Sequence, residues 1–216
     1  MVLPLASYAS QRALWPASGR VILAHYDDEE IVVYQAFHRI TAEHAVKHQR
    51  LGGPRYSLSR MSWVKPNFLW MMYRCGWLQK DDEQGRVLAI WIRRTFFDEI
   101  LECAVASSWD RNRFADRGDW QRKSKLSSVR LQWDPDHAPN GAKQERRAVQ
   151  LGLRGPMLDR FVNEATTRIE DISELVIRER EHLAEPDRLM LPTERIYEVG
   201  SAKAREALGM AALIER

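Results

Sequence analysis

Hydrophobic and polar residues alternate one by one in two segments in the second half of the chain. Residues 129–134 read VRLQWD and residues 148–155 read AVQLGLRG, so each segment places its apolar side chains on one face. This period of two predicts two half-buried strands, and the polar link that contains Asn140 and Gly141 lets them pair. Residues 86–92, RVLAIWI, form a continuous apolar run that is typical of a buried central strand.

A longer spacing, of three to four residues, predicts a helix early in the chain. Residues 31–48 have apolar positions at this spacing, and they follow the acidic residues 27–30, which favour a helix N-terminus. The segment begins with β-branched residues, Ile31 to Val33, which are also compatible with a strand.

Three later helices are predicted from the same spacing. Thr95 and Asp98 resemble a capping box, and the apolar stripe that follows them continues to Val105. A long helix is predicted for residues 156–176 because Pro156 suits its first turn, and a short helix is predicted from about Ser201.

The most apolar and aromatic segment is residues 60–77, RMSWVKPNFLWMMYRCGW. Pro66 suits the first position of a helix and Gly76 suits the left-handed residue after its end. Since nearly every position between them is apolar, we expect this short helix to be buried. Its three cations, Arg60, Lys65 and Arg74, conflict with that environment.

Length and composition indicate one compact domain. The chain has 216 residues, of which 44% are hydrophobic and 29% charged, as in soluble globular proteins. The elements above predict an α+β single domain in which a mixed or antiparallel sheet packs with several helices. We expect residues 1–20 to form a loop-like arm, residues 21–185 the core domain, and residues 186–216 a C-terminal extension packed on the core.

Several function classes are excluded or disfavoured. The formal charge of +3 is too small to indicate a nucleic-acid binder by itself, and the glycine-rich, nucleophile-elbow and zinc-protease motifs are absent. His44 and His48 have the spacing of two metal ligands but lack a third, so no metal site is predicted, and the sequence leaves the identity of any cofactor unknown. Cys75 and Cys103 lie in apolar segments, and no apolar run is long enough for a membrane span; both favour a cytoplasmic protein of undetermined oligomeric state.

The cations of residues 60–77 are the first candidate binding residues. Arg74 either pairs with buried acceptors as a structural contact or faces a polar cavity and binds an anion. Lys65 lies at the predicted helix start, where free amides and the helix dipole favour a phosphate or carboxylate, and Arg60 would add a forked donor. Lys65 and Arg60 are equally compatible with a solvated loop.

A second candidate region interleaves cations with aromatic residues. Residues 109–130 combine phosphate-binding and base-stacking side chains, as a single-stranded nucleic acid requires, although a solvated connection whose aromatic residues pack on the core has the same composition. The candidate residues of this loop are Trp109, Arg111, Arg113, Trp120, Arg122 and Lys123.

The polar face of the two alternating strands is a third candidate. Its side chains include both donors and acceptors, which suits a base or ribose, but an ordinary solvent-facing sheet has the same appearance. The residues of this face are Arg130, Gln132, Asp134, Gln150 and Arg154.

Several of these segments, in this order, resemble one protein family. The segments IVVYQAF, RMSWVKPNFLWMMYRCGW, VLAIWIRRTFFDEIL, VRLQWDPD and LGLRG are similar to those of the domain-of-unknown-function 4291 family, over roughly residues 31–172 and the segment LPTERIY. The resemblance implies motif positions but no activity. Those positions are Arg60, Lys65, Arg74, Gln132, Asp134 and Arg154.

The sequence therefore leads to a functional hypothesis with two alternatives. We expect a basic pocket that binds a phosphate-bearing ligand, a nucleotide or RNA, and a group-transfer reaction if the protein is an enzyme. ADP-ribosyl transfer from a dinucleotide is one form of such a reaction, although the sequence has no diagnostic motif for it. Glu99 and Asp134 are the candidates for a catalytic acid. The alternatives are a non-catalytic module for single-stranded nucleic acid and a structural, partner-binding protein.

Overall fold

The computed structural model describes residues 3–210, which fold into an α+β domain as the sequence predicts. The strands, in chain order, are β1 (Leu5–Ser7), β2 (Leu23–Ala24), β3 (Glu30–Phe37), β4 (Ser62–Val64), β5 (Arg86–Arg93), β6 (Ala104–Ala106), β7 (Val129–His137), β8 (Lys143–Leu153), β9 (Thr166–Asp171), β10 (Met190–Pro192) and β11 (Arg195–Ile196). The helices are α1 (Tyr8–Arg12), α2 (Arg39–His48), α3 (Phe68–Cys75), α4 (Arg94–Glu102), α5 (Arg117–Leu126), α6 (Gly155–Arg160), α7 (Ser173–Arg180) and α8 (Ala202–Leu208). Among the described residues, no helix has both the length and the apolar composition needed to cross a bilayer.

Two sheets form the centre of the domain. One has the strand order β3-β5-β9 and is antiparallel throughout, so the apolar run of β5 is its central strand, as predicted. The other has the order β4-β8-β7-β6; β7 and β8 pair antiparallel, as the two alternating segments predict, and β6 is parallel to β7. The prediction of a mixed or antiparallel sheet is confirmed.

Both faces of β5 are buried, and each face belongs to a different apolar cluster. Leu88 and Ile90 pack in a cluster with residues of β7, β8, α2 and α4. Val87 and Ala89 pack on the opposite side, in a cluster with residues of α3 and α7. A strand covered on both faces needs a continuous apolar run, which explains the residue pattern of β5.

Two strands from the first 24 residues pair with strands at residues 190–196. β1 pairs antiparallel with β10, and β2 pairs antiparallel with β11. The prediction that residues 1–20 are loop-like is wrong for residues 5–12, which form β1 and α1. The missing information was the partner strand, because the backbone hydrogen bonds of β1 go to a segment far along the chain.

Residues 31–48 contain both of the elements that their pattern allowed. The β-branched start forms β3, and the helix, α2, begins only at Arg39. Helix α4 begins at Arg94 without a side-chain cap, so the predicted capping box of Thr95 and Asp98 does not form. The carboxylate of Asp98 instead accepts a hydrogen bond from the Tyr197 hydroxyl at 2.6 Å.

The predicted long helix over residues 156–176 is wrong. The chain instead forms α6, a π-helical turn at Phe161–Ala165, strand β9 and then α7. Ile169 fits a helical stripe and an alternating strand equally well, but β5 has a second edge whose backbone groups need partners. Pairing with β5 therefore overrides the helical spacing.

Candidate functional site

A cavity of about 570 Å³ opens where the two central sheets approach each other. It lies between the end of β3, strand β4 and the link after it, the last turn of α3, and the polar face of β7 and β8. Its chemically informative side chains are two cations, four amides and two aromatic rings. These are Lys65, Arg74, Gln35, Gln84, Gln132, Gln150, Phe37 and Trp63.

Lys65 is held in the wall of this cavity by its backbone. Its N–H donates to the Tyr34 carbonyl at 3.3 Å, and the Tyr34 N–H donates to the Lys65 carbonyl at 2.7 Å, so β3 fixes its position. The residue is only 4% exposed, and within residues 3–210 its ammonium group makes no hydrogen bond or ion pair within normal distance. Burial, reinforced by the positive charge of Arg74, lowers the pKa of Lys65 to about 8, although Asp134 acts in the opposite direction.

Arg74 does not make the buried structural contact that is one of its two predicted roles. It is exposed in the last turn of α3, where its Nη1 donates to Gln84 Oε1 at 3.3 Å, and it lines the same cavity as Lys65. The helix ends after Cys75, at a left-handed Gly76 with φ of +58°, as predicted. One end of α3 thus supplies a solvent-accessible cation to the cavity.

Asp134 orients two of the amides. Its carboxylate accepts hydrogen bonds from Gln132 Nε2 and from Gln150 Nε2, both at 2.8 Å. An ionised carboxylate is only an acceptor, so both glutamines must turn their NH₂ groups towards it. Gln132 and Gln150 are directly opposite each other on β7 and β8, which brings the two amides together at the cavity.

A third amide, Gln35, is almost fully buried. Its Nε2 donates to Ser62 Oγ at 2.8 Å and to the Trp63 carbonyl at 3.0 Å, and among the described residues its Oε1 has no hydrogen-bond partner. Sequence reasoning missed Gln35. The signal for it was a lone amide within the otherwise apolar strand segment IVVYQAF, since a buried polar side chain needs partners.

Gly152 makes room for the aromatic wall of the cavity. It is the direct partner of Trp63 in the pairing of β4 with β8. A Cβ atom at this position would lie 2.5 Å from Met61 Sδ and 3.1 Å from Trp63 Cε2. The glycine in the segment LGLRG is therefore favoured by its close packing with two side chains rather than by backbone conformation.

A comparison with known protein families finds one family model that covers the segments forming this cavity. The model described as "Domain of unknown function (DUF4291)" matches residues 21–197. The chain belongs to the DUF4291 family. No curated protein matches it. All of the cavity residues named above lie inside the matched region of this DUF4291 protein, whose family description names no activity.

The N-terminus of α3 in the DUF4291 protein is occupied by the protein's own carboxylate. Glu194 accepts hydrogen bonds from the Phe68 N–H at 2.7 Å and from Asn67 Nδ2 at 3.2 Å. The helix begins at Phe68 with Asn67 as its cap, two residues later than predicted from Pro66. The expected anion at this helix start is therefore internal, and sequence reasoning missed Glu194 because it is 126 positions away from Phe68.

Glu194 is enclosed, and its environment disfavours its charge. Burial raises the pKa of Glu194 well above its ordinary value, against the effect of the Phe68 N–H, and the carboxylate of Asp136 raises it further. Arg60 precedes β4 in the chain, is exposed, and is not among the residues that line the cavity. The cavity lining thus includes Lys65 and Arg74 but neither Arg60 nor the first residues of α3, whose hydrogen bonds go to Glu194.

Arg130 and Arg154 belong to the predicted polar face but do not line the cavity. Arg154 donates to the carbonyl oxygens of Ser127 at 3.0 Å and of Lys125 at 2.6 Å, and Arg130 donates to that of Ser124. These carbonyl groups are at the end of α5, where a helix has unpaired acceptors and a negative dipole. Both arginines therefore stabilise a helix terminus.

The cations of residues 109–130 have partners within the DUF4291 protein. Arg122 and Lys123 both pair with Asp119, and Arg113 donates to the Ala207 carbonyl. The ring nitrogen of Trp120 donates to the Ala106 carbonyl at 2.9 Å. Three residues near the start of this segment are exposed. The guanidinium of Arg117 lies over the ring of Trp109, and Arg111 is close to them in the sequence.

The remaining candidates lie elsewhere. Glu99 is on α4, where both of its carboxylate oxygens accept hydrogen bonds from Arg160, and these bonds lower the pKa of Glu99. It does not contact the cavity of Lys65. The rings of His44 and His48 are 4.4 Å apart, but no group of three metal-binding side chains occurs within residues 3–210.

Proposed function

We propose that this DUF4291 protein binds a phosphate-bearing ligand in the cavity of Lys65 and Arg74. The observation that supports the proposal most strongly is Lys65, which is 4% exposed in the cavity wall and whose ammonium group has no anionic partner within ion-pairing distance among the described residues. Burying an unpaired charge is unfavourable, so retaining one beside a cavity suits a ligand that supplies the missing anion. Arg74 adds a forked donor for phosphate oxygens at the cavity mouth.

The other walls of the cavity favour a nucleotide over inorganic phosphate. Amides oriented by Asp134 offer hydrogen bonds to a base or ribose, and Trp63 and Phe37 offer apolar contact to a ring. A volume of about 570 Å³ also lies within the usual range for small-molecule sites. If a reaction occurs, we propose group transfer, because positioning of a phosphate by two cations lowers the barrier to such reactions. No residue is assigned as its catalytic acid.

Binding of single-stranded RNA is the second candidate function. Its support is the exposed pair of Arg117 and Trp109, which offers a cation and an aromatic surface on one loop. The ion pairs of Arg122 and Lys123 with Asp119 weaken this candidate, because they neutralise much of the segment's charge. Two free thiols, Cys75 and Cys103, suit a reducing compartment and support a cytoplasmic location.

A thermal-shift experiment tests the proposal. ATP, AMP, NAD⁺, inorganic phosphate and a short single-stranded RNA are compared on the wild type, on Lys65→Met and on Arg74→Met. Lys80→Met is the matched control, since it removes an exposed lysine outside the cavity lining. A ligand present at about 100 times its Kd adds about 2.7 kcal/mol to the free energy of unfolding, which corresponds to a Tm increase of several degrees.

We expect at least one nucleotide to raise the Tm of the wild type and of Lys80→Met but not that of Lys65→Met, with a smaller increase for Arg74→Met. An increase with RNA alone, which falls steeply with salt and is unchanged in Lys65→Met, would favour the second candidate function. The absence of any increase with every phosphate compound would refute both.

A further inference from the structure

Lys65 differs from every other lysine of the chain in its environment. It is 4% exposed in the cavity wall, whereas Lys47, Lys80, Lys123, Lys125, Lys143 and Lys203 are exposed. Its charged or ionisable neighbours are Arg74, Asp134 and Cys75. None of them forms an ion pair with its amine, and the cation is the strongest influence among the three.

Such an environment favours the uncharged amine, which is the nucleophilic form. A lysine becomes a nucleophile when it is desolvated in a pocket or lies next to another cation, and both conditions hold for Lys65. With a pKa of about 8, roughly a tenth of its amine is free at pH 7, whereas an exposed lysine has far less than a hundredth. The amine also lies beside the space that a bound ligand would occupy.

We propose that Lys65 forms an imine with an aldehyde or ketone carried by the phosphate-bearing ligand, as in the open-chain form of a sugar phosphate. This inference rests on the proposed function and narrows it, because it places the phosphate of the ligand at Arg74 alone and lets Lys65 meet the carbonyl group instead of the phosphate. It also divides the roles of the two cations. Arg74 stays charged at the cavity mouth and holds the phosphate, while Lys65 reacts with the carbonyl carbon.

The reaction is a condensation without any change in oxidation state. The lone pair of Lys65 Nζ adds to the carbonyl carbon, and the carbonyl π electrons move to the oxygen, which takes up a proton. The resulting carbinolamine loses water, the C–O bond breaks, and a C=N bond forms between Nζ and the former carbonyl carbon. The proton lost from nitrogen and the hydroxyl lost from carbon leave as that water molecule.

Reductive trapping tests this inference on the full chain. Pyridoxal 5′-phosphate, an aldehyde with a phosphate group, is added at less than one equivalent, the imine is reduced with borohydride, and the modified lysine is identified by peptide mass spectrometry. The six exposed lysines are internal controls. Pyridoxal, which lacks the phosphate, is the matched reagent, and Arg74→Met, at an exposed position, is the matched variant.

We expect Lys65 to be modified at least roughly tenfold faster than any exposed lysine at pH 7.5, because of its larger fraction of free amine. The rate at Lys65 should level off near pH 8, while the rates at exposed lysines continue to rise towards pH 10. Arg74→Met and the reagent without phosphate should each lower the rate at Lys65 about tenfold while leaving the exposed lysines unchanged.

The contrary results separate this inference from the proposed function. If nucleotides raise the Tm through Lys65 but pyridoxal phosphate modifies only exposed lysines, imine formation is refuted and phosphate binding stands. If Lys65 reacts equally fast with and without the phosphate group, the assignment of the phosphate to Arg74 is refuted. If no phosphate compound raises the Tm and Lys65 does not react, both proposals are refuted.

Discussion

Replacing Lys65 with methionine should stabilise the protein in the absence of a ligand. The substitution keeps an unbranched, largely apolar side chain in the cavity wall but removes the ammonium group of a largely buried residue, which has no ion-pair partner among the described residues. The folded state holds the pKa of this amine near 8, against an ordinary value of 10.5. Lys65 therefore binds its proton more weakly in the folded protein than in the unfolded chain, and this difference destabilises the folded state at neutral pH.

The magnitude follows from the pKa difference. Each tenfold change in a proton-binding constant is worth about 1.4 kcal/mol, so the charged amine lowers the free energy of unfolding by roughly 3 kcal/mol at pH 7. This penalty is fully present below pH 8, where Lys65 is charged in both states. It disappears between pH 8 and 10.5, because over that range the unfolded chain still binds the proton and the folded protein has lost it.

Urea unfolding followed by tryptophan fluorescence at pH 7 and pH 10 measures this effect. We expect Lys65→Met to be more stable than the wild type by up to roughly 3 kcal/mol at pH 7, and the difference to fall below about 1 kcal/mol at pH 10. Lys80→Met, at an exposed position, should change the free energy of unfolding by less than about 0.5 kcal/mol at both pH values. A destabilised Lys65→Met variant at pH 7, or a difference that does not depend on pH, would show that the amine has a partner and would refute the reasoning.

Three further predictions concern the supports of the cavity and its surroundings. Gly152→Ala should lower the free energy of unfolding by about 1–3 kcal/mol in urea titrations, because its Cβ would displace Met61 and Trp63; a neutral result would mean that Met61 moves freely. The free energy of unfolding of Glu194→Gln, relative to that of the wild type, should be highest at pH 7 and lowest near pH 4.5. The reason is that a raised pKa of Glu194 makes the wild type lose stability as pH rises. Parallel pH profiles of the two proteins in urea unfolding would contradict this. Arg154→Met should cost about 2 kcal/mol in the same assay by leaving carbonyl groups of α5 unpaired, with nucleotide binding in the thermal-shift assay unchanged, whereas lost binding would place Arg154 at the ligand.

The elements predicted correctly are those whose pattern is local and unambiguous. The alternation of β7 and β8, the apolar run of β5 and the glycine at the end of α3 each suit one structure only. Residues 156–176 were predicted wrongly because their apolar spacing suits a helix. Hydrogen bonding to the free edge of β5 instead makes residues 166–171 the strand β9. That edge is a property of the assembled sheet and is not encoded within the segment itself.

The candidate site shows the same division between local and distant information. Lys65, Arg74, Gln132 and Gln150 are conspicuous in the sequence because each conflicts with, or alternates with, apolar neighbours, and the structure places all four around one cavity. Glu194 has no such local signal. Its position at the start of α3 depends on the path of the last quarter of the chain, which no pattern near residue 68 could indicate.

The pairing of early strands with late strands sets an order for folding during synthesis. β1 gains its partner only when β10 exists, and the ring nitrogen of Trp15 donates to the carbonyl of Glu194, 179 positions later. During synthesis, residues 190–194 must therefore leave the ribosome before β1 and the start of α3 can form these hydrogen bonds. Until then Leu3 and Tyr8 lack their apolar neighbours Leu189 and Leu191, so a chain that stops short of β10 exposes apolar surface that favours aggregation.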